Sequence, residues 1–247
     1  MEKVIERLKM YKNQIDMAER FNFSIYNIDS ILDTKEREEL FFKKSPFYQN
    51  IQLKEILKEK YEKTSNTTPL DFWIINEWGG IRGFKANDRN QEKIIKFREQ
   101  LIKRKLTLDS FSTISSLSKL SSFIDLDNFV IYDSRVIFTI NWLILTCENQ
   151  SNLKVKYYPM PNGRNKIISD FDMNTIINVA HVLDYHDNSL FIHKQQAYFN
   201  FCDFIKSATH EIFDKDTKPY QLEMLLFILA DKEIFNEIKN RLKIILK

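Results

Sequence analysis

The stretch ISSLSKLSSFIDLDNFVIYDSRVIFTINWLIL, residues 114–145, decides the fold. Its first third consists of serine and apolar residues and holds a single cation, Lys119. Asp133 then precedes SRVIFTINWLIL, a segment that is apolar almost all round. An aspartate in that position caps a helix, and a helix that is apolar all round is buried. We therefore predict one helix over about Ser115–Ile124, a connector DLDNF, and a buried helix that begins at Ser134.

Helical periodicity extends outward from this stretch over the 247 residues. EKVIERLKMYKNQIDMAERF, YQNIQLKEILKEKYEK and DRNQEKIIKFREQLIKRKL each repeat apolar residues every three or four positions, and three segments after residue 170 do the same. Only four Gly and five Pro interrupt the chain. We predict an all-α fold of about ten helices in one unit, 1–247, with a seam at 148–170 and at most a short ribbon at 153–158.

Composition excludes several function classes. No apolar run approaches the roughly 20 residues of a membrane span, and the charged start MEKVIERLKMYK does not resemble a signal peptide. Cys147 and Cys202 are isolated and predicted to be reduced core thiols, so we expect a cytoplasmic protein without membrane contact. No metal site is expected, because C-x-x-C is absent and the histidines lack ligand spacing. A net charge of +3 permits an anionic partner without requiring one.

The central residues have a simple structural interpretation. Asp133 would be a helix cap, Lys119 a solvated surface lysine, and Arg135 one half of an ion pair. Most residues of these types in proteins have only such roles. A functional interpretation therefore has to rest on their order along the chain.

That order resembles the helix-hairpin-helix DNA glycosylases. In this superfamily a lysine lies just after the hairpin, and a segment similar to V-D-T-H-V carries an aspartate. Here Ser118 and Lys119 stand where that lysine belongs, and YDSRV matches the aspartate segment. The resemblance covers residues 106–146, which we call the hairpin-Lys/Asp core. Within the superfamily it is similar to 8-oxoguanine-DNA-glycosylase-like bacterial proteins, some of which accompany anti-phage nucleotide-signalling (CBASS) operons.

The resemblance implies a DNA glycosylase with abasic-site (AP) lyase activity, in DNA repair or antiviral defence. Its substrate would be DNA with a damaged or modified base flipped out of the stack, by default an oxidised purine. No cofactor is implied, and partner proteins from a defence operon would fit. Lys119 would be the nucleophile, Asp133 the electrostatic partner and base, and Arg135 a phosphate contact. FSTISSLSK would form the hairpin, with Ser116 and Ser118 contacting the DNA backbone.

Three other segments each allow a structural and a functional interpretation. WIINEWGGIRGF is either a helix end with a tight turn or a loop that brings Arg82 to DNA and stacks Phe84 on the base. YYPMPNGRNK is a surface loop or a DNA contact through Arg164. KPYQLEMLLF packs in the core or helps to enclose the base with Tyr220 and Gln221.

Two function classes therefore stay open. The superfamily hairpin usually reads L-P-G-x-G, whereas this chain has no glycine between Gly83 and Gly163. The interval from Lys119 to Asp133 is also shorter than usual. These departures favour a non-catalytic helical accessory factor that binds nucleic acid or protein on the same scaffold. The retained order of Lys, Asp and Arg favours the enzyme.

Overall fold

The computed structural model describes residues 1–147, 155–162, 165–181 and 190–242. Ten α-helices of seven or more residues account for most of these ranges, and no β-strand occurs in them. The predicted all-α class with about ten helices is confirmed. In chain order the helices are α1 (Glu2–Gln14), α2 (Met17–Arg20), α3 (Thr34–Phe42), α4 (Pro46–Lys63), α5 (Thr68–Trp73), α6 (Asp88–Lys103), α7 (Leu108–Ser112), α8 (Ile114–Ile124), α9 (Ser134–Cys147), α10 (Met173–Ala180), α11 (Lys194–Ile212), α12 (Pro219–Leu229) and α13 (Phe235–Arg241).

The central stretch folds as two helices in the predicted places. α8 begins one residue before the predicted start, and α9 begins at Ser134. The turn between α7 and α8 is the single residue Thr113, whose φ of −117° is accessible to any L-residue. This turn therefore needs no glycine.

A continuous hydrophobic core joins α1 to α13. α12 packs against α9 and α11, and α1 lies across the same two helices. α8 packs against α4, α6 and α7 and against the turn that follows α5. Nine of its eleven residues are buried.

Outside the helices, one isolated parallel bridge joins Tyr157 to Phe191. The Tyr157 N–H donates to the Leu190 carbonyl at 2.8 Å, and the Ile192 N–H donates to the Tyr157 carbonyl at 2.8 Å. Positions 153 and 154 of the predicted ribbon lie outside the described residues. Among the helices that the structure describes, none is both long and apolar enough to cross a membrane.

Candidate functional site

Asp133 is held by the first turn of α9. Its Oδ1 accepts the backbone N–H of Val136 at 3.0 Å, and its carbonyl accepts the N–H of Ile137 at 3.0 Å. This is the N-cap geometry that the sequence predicts. Because the cap fixes the carboxyl group in orientation, Asp133 presents it to the space in front of the helix.

Lys119 reaches the same space from α8. Its side chain is only 8% exposed, and its Nζ donates to the Ser115 carbonyl one turn earlier at 2.9 Å. Burial lowers the pKa of Lys119, although the carboxyl groups of Asp133 and Glu223 oppose this effect. A lowered pKa increases the fraction of the neutral amine, which is the nucleophilic form.

Lys119 and Asp133 line one cavity of about 150 Å³. An apolar protein cavity of about this size accommodates one benzene ring. Four aromatic rings form part of the remaining wall, and they come from the segment after α2, from the turn that follows α5 and from α12. These aromatic residues are Phe21, Phe23, Trp78 and Phe227. The cavity therefore combines aromatic surfaces with charged groups in a space of about the size of one six-membered ring.

A second lysine, Lys54 of α4, lines this cavity and is fully buried. Its Nζ donates to the carbonyl and Oγ of Ser122 at 3.2 and 3.1 Å. The ammonium group also lies 4.1 Å from the ring centroid of Phe123, 5.2 Å from Trp78 and 5.3 Å from Tyr220. Such cation–π contacts stabilise a buried ammonium group. Burial nevertheless lowers the pKa of Lys54.

A second carboxyl group, Glu223 of α12, completes the set and is 3% exposed. The backbone of Ile131 near this carboxyl group favours the carboxylate form and so opposes a rise of the Glu223 pKa. Its Oε2 is buried and has no hydrogen-bond partner within the described part of the chain. Burial raises the pKa of Glu223, and the Lys54 ammonium opposes this rise. Two lysines and two carboxyl groups therefore surround one small cavity.

Gly79 makes room for the Lys119 side chain. α5 continues into a π-helical turn, Ile74–Trp78, which ends at Gly79. A Cβ atom on Gly79 would lie 2.5 Å from Cδ of Lys119 and 2.7 Å from the carbonyl oxygen of Ile75. The sequence predicts the end of a helix here, but the contact with the lysine was not foreseen.

The three arginines predicted to contact DNA are not gathered around the cavity in the part of the chain that the structure describes. Nε of Arg135 lies 3.2 Å from Oδ2 of Asp231, and its guanidinium carbon lies 4.5 Å from the ring centroid of Phe227 on the cavity wall. Arg135 is thus beside the cavity but already paired. Arg82 is exposed on the loop after Gly79 and does not line the cavity. Arg164 lies outside the described residues.

The two predicted hairpin serines lie in the core. Ser118 is fully buried, and its Oγ accepts the backbone N–H of Tyr132 at 3.0 Å. A hydroxyl group that is enclosed in this way does not reach a DNA backbone. Ser116 is 8% exposed. The expectation that these hydroxyl groups contact phosphate is replaced by a structural role for Ser118.

The three residues predicted for the base pocket do not line the cavity. Phe84 is buried, with its ring centroid 6.1 Å from that of Phe72. Tyr220 is buried behind Lys54, so it contacts a lining residue without bordering the space. Gln221 is partly exposed. The aromatic walls of the cavity come from other parts of the chain.

Lys54 and Glu223 were not predicted from the sequence, although each has a detectable signal. Asn50, Leu53, Lys54 and Leu57 form one buried stripe of α4 at the spacing i, i+3, i+4, i+7. A lysine in such a stripe is exceptional. Glu223 is the single acid of PYQLEMLLFIL, just as Lys119 is the single cation of α8.

Comparison with known proteins leaves the site to be interpreted from its geometry. No family model matches the chain, and neither a curated protein nor a solved structure matches it at a significant level. Within residues 1–147, 155–162, 165–181 and 190–242, no three His, Cys, Asp or Glu side chains are grouped to hold a metal ion.

Proposed function

We propose that this protein is a DNA glycosylase with AP-lyase activity that removes a damaged or modified base, by default an oxidised purine. One observation carries the proposal: the amine of Lys119 and the carboxyl group of Asp133 border the same aromatic cavity of about 150 Å³. Each group suits its role. The buried amine has a lowered pKa, and the helix cap fixes the direction of the carboxyl group.

In the proposed reaction, the Lys119 amine and the Asp133 carboxylate each have one role. The Lys119 amine attacks C1′ of the deoxyribose, and the electron pair of the C1′–N bond leaves with the base. Positive charge develops on the sugar during this step, and the nearby Asp133 carboxylate stabilises it. The sugar ring then opens to an imine with Lys119, and β-elimination expels the 3′ phosphate. The base must leave the DNA stack, since C1′ is not accessible inside a duplex.

Borohydride trapping tests this proposal. Wild-type protein is mixed with an oligonucleotide that carries an abasic site, and the imine is reduced to a stable adduct. We expect an adduct with wild type and none with Lys119→Gln. The matched control is Lys96→Gln, which also removes one amine. Lys96 lies on α6 with a 66% exposed side chain, and it does not line the cavity.

A non-catalytic accessory factor is the alternative. The 2.9 Å hydrogen bond from Lys119 to the Ser115 carbonyl favours it, because that bond occupies one proton of the amine in the resting state. The absence of hairpin glycines favours it as well. If wild type gives no adduct and releases no base, but binds DNA or a partner as well as Lys119→Gln does, the alternative is the better account.

A further inference from the structure

The proposed reaction leaves one proton without an assigned carrier. A protonated Lys119 has no lone pair with which to attack, so it must first lose a proton. The departing base, in turn, must gain one. Both transfers take place inside a cavity of about 150 Å³, where room for solvent is small. A side chain that accepts the first proton and delivers it in the second step would solve both problems.

Two carboxyl groups face Lys119, and they differ in their hydrogen bonds. Asp133 uses Oδ1 to cap α9 through the Val136 N–H. Glu223 lines the cavity, and its Oε2 is buried and has no hydrogen-bond partner in the part of the chain that the structure describes. An unpartnered buried oxygen costs about 1–3 kcal/mol. Such an atom is a candidate for a role in catalysis rather than in folding.

The balance of charge favours the same assignment. With all four groups ionised, the cavity has two positive and two negative charges. Transfer of one proton from Lys119 to Glu223 neutralises both of these side chains and leaves Lys54 and Asp133 as one cation and one anion. The total charge is zero before and after the transfer, so no net charge is created in a buried site.

We infer that Glu223 is the proton carrier of the proposed reaction and that Lys54 is the positioning residue that keeps its carboxyl group ready to accept. This inference rests on the proposed function. A proton moves from Nζ of Lys119 to the Glu223 carboxylate, and the freed lone pair of Nζ forms the bond to C1′. The C1′–N bond breaks with its electron pair on the base. Glu223 then protonates that base and returns to its carboxylate form.

Lys54 acts through charge and does not touch the reacting atoms. Its Nζ is fixed by Ser122 and by three aromatic rings. The charged groups that interact with it are Glu223, Lys119 and Glu55, and those that interact with Glu223 are Lys54, Asp133 and Lys119. Burial alone would keep Glu223 neutral, and a neutral carboxyl group cannot accept a proton. The Lys54 charge opposes this by favouring the carboxylate.

The experiment compares two substrates with the same variant, Glu223→Gln. The first is an oligonucleotide with 8-oxoguanine, which requires release of a base. The second is the abasic oligonucleotide, which has no base to protonate. We expect base release to slow by a factor on the order of 10² to 10⁴, the usual effect of a general acid or base. Trapping on abasic DNA should slow by a smaller factor, because it requires the proton transfer from Lys119 to Glu223 but no transfer from Glu223 to a base.

The outcomes separate the inference from the proposed function. If wild type acts on both substrates and Glu223→Gln releases the base at the wild-type rate, the inference is wrong and the proposed function stands. If wild type gives neither adduct nor base release, the proposed function fails. Equal slowing of both activities in Glu223→Gln, with an unchanged thermal transition, would also overturn the carrier role, because only base release needs the second proton transfer.

A pH profile tests Lys54. Removal of its charge in Lys54→Met raises the pKa of Glu223 further, so the carboxylate is lost at a higher pH. The acidic limb of the pH–rate profile for base release should therefore move to higher pH in Lys54→Met. The control variant Lys96→Gln should leave this limb in place. An unshifted limb would contradict the role of Lys54. If Lys54→Met does not fold, the double variant Lys54→Met/Glu223→Gln removes both buried charges and should restore folding.

A measurement without substrate provides an independent check. Infrared difference spectra between wild type and Glu223→Gln isolate the carbonyl band of the protonated Glu223 carboxyl group. The band should persist well above pH 4.3, the ordinary pKa of glutamate. The pH at which the band disappears should match the acidic limb of the pH–rate profile of base release, because only the carboxylate accepts the proton of Lys119. A mismatch between the two would overturn the carrier role.

Discussion

Two buried charged clusters in this protein are built differently. Asp71 of α5 is 3% exposed, and its carboxylate accepts the Tyr61 hydroxyl at 2.6 Å, the Thr67 hydroxyl at 3.2 Å and Nη2 of Arg98 at 2.6 Å. Arg98 also donates to the Thr67 hydroxyl at 2.8 Å. Every member of this cluster therefore bonds to another member.

The cavity cluster is open by comparison. Lys54, Lys119, Asp133 and Glu223 surround about 150 Å³ of space, and one carboxyl oxygen of Glu223 has no partner in the part of the chain described. A satisfied polar network stabilises a fold, whereas a partly satisfied one is destabilising unless a ligand completes it. Under the proposed function, the Asp71 cluster serves the fold and the cavity cluster serves a ligand.

The largest expected effect on stability compares the two carboxyl groups directly. Asp71→Asn and Glu223→Gln are isosteric changes that each remove one buried negative charge. Asp71→Asn should reduce the free energy of unfolding by about 3 kcal/mol, at the low end for broken buried pairs because Arg98 is partly exposed. Glu223→Gln should reduce it by less, since its Oε2 has no hydrogen bond to lose. Urea unfolding measures both, and equal losses would refute the contrast.

Asp133 tests whether the open cluster acts on chemistry rather than on folding. Asparagine caps a helix about as well as aspartate, so Asp133→Asn should leave the free energy of unfolding nearly unchanged. The loss of the negative charge should slow base release by a factor on the order of 10². Single-turnover rates and thermal unfolding distinguish these effects. A stability loss that accompanies the slower rate would assign Asp133 to the fold.

Gly79 tests the space around the Lys119 side chain. In Gly79→Ala the new Cβ would clash with Cδ of Lys119 and with the carbonyl of Ile75. Overpacking of this kind costs about 1–3 kcal/mol and should displace the amine, so imine trapping should fall as well. The control is Gly83→Ala, since a Cβ on Gly83 meets nothing within 4 Å. Equal behaviour of the two variants would show that Lys119 moves freely.

The smallest effect is expected at Arg135. In the ion pair of Arg135 with Asp231, each of the two side chains is about 30% exposed. The pair should therefore contribute at most about 1 kcal/mol to stability. If Arg135 exchanges this partner for a DNA phosphate, Arg135→Ala should weaken DNA binding. It should also reduce the slope of log affinity against log salt concentration by the equivalent of about one phosphate contact. Affinity measured at several salt concentrations tests this. An unchanged slope would leave Arg135 with its structural pair alone.

The sequence predicts the helices well because their signals are local. The N-cap at Asp133 and the buried helix after it depend on residues within one or two turns. The cavity depends on distant segments, since Phe21 of the N-terminal region and Glu223 of α12 meet only through tertiary packing. No local pattern shows which helix faces another. Lys119 stands out in the sequence because it is the single charged residue of its helix. The same criterion would also have selected Glu223, but it could not have shown that the two side chains lie together.

The buried serines of α8 determine how the cavity can move. Oγ of Ser121 lies 2.6 Å from the Tyr198 hydroxyl, and Oγ of Ser122 donates to the Lys119 carbonyl at 2.8 Å. Because these hydroxyl groups tie α8 to itself and to α11, its amide hydrogens should exchange with solvent only when the whole protein unfolds. The opposite wall includes Phe21 and Phe23, which lie in a non-helical segment. Admission of a ligand would then depend on fluctuations of that segment, while the backbone that carries the amine stays fixed.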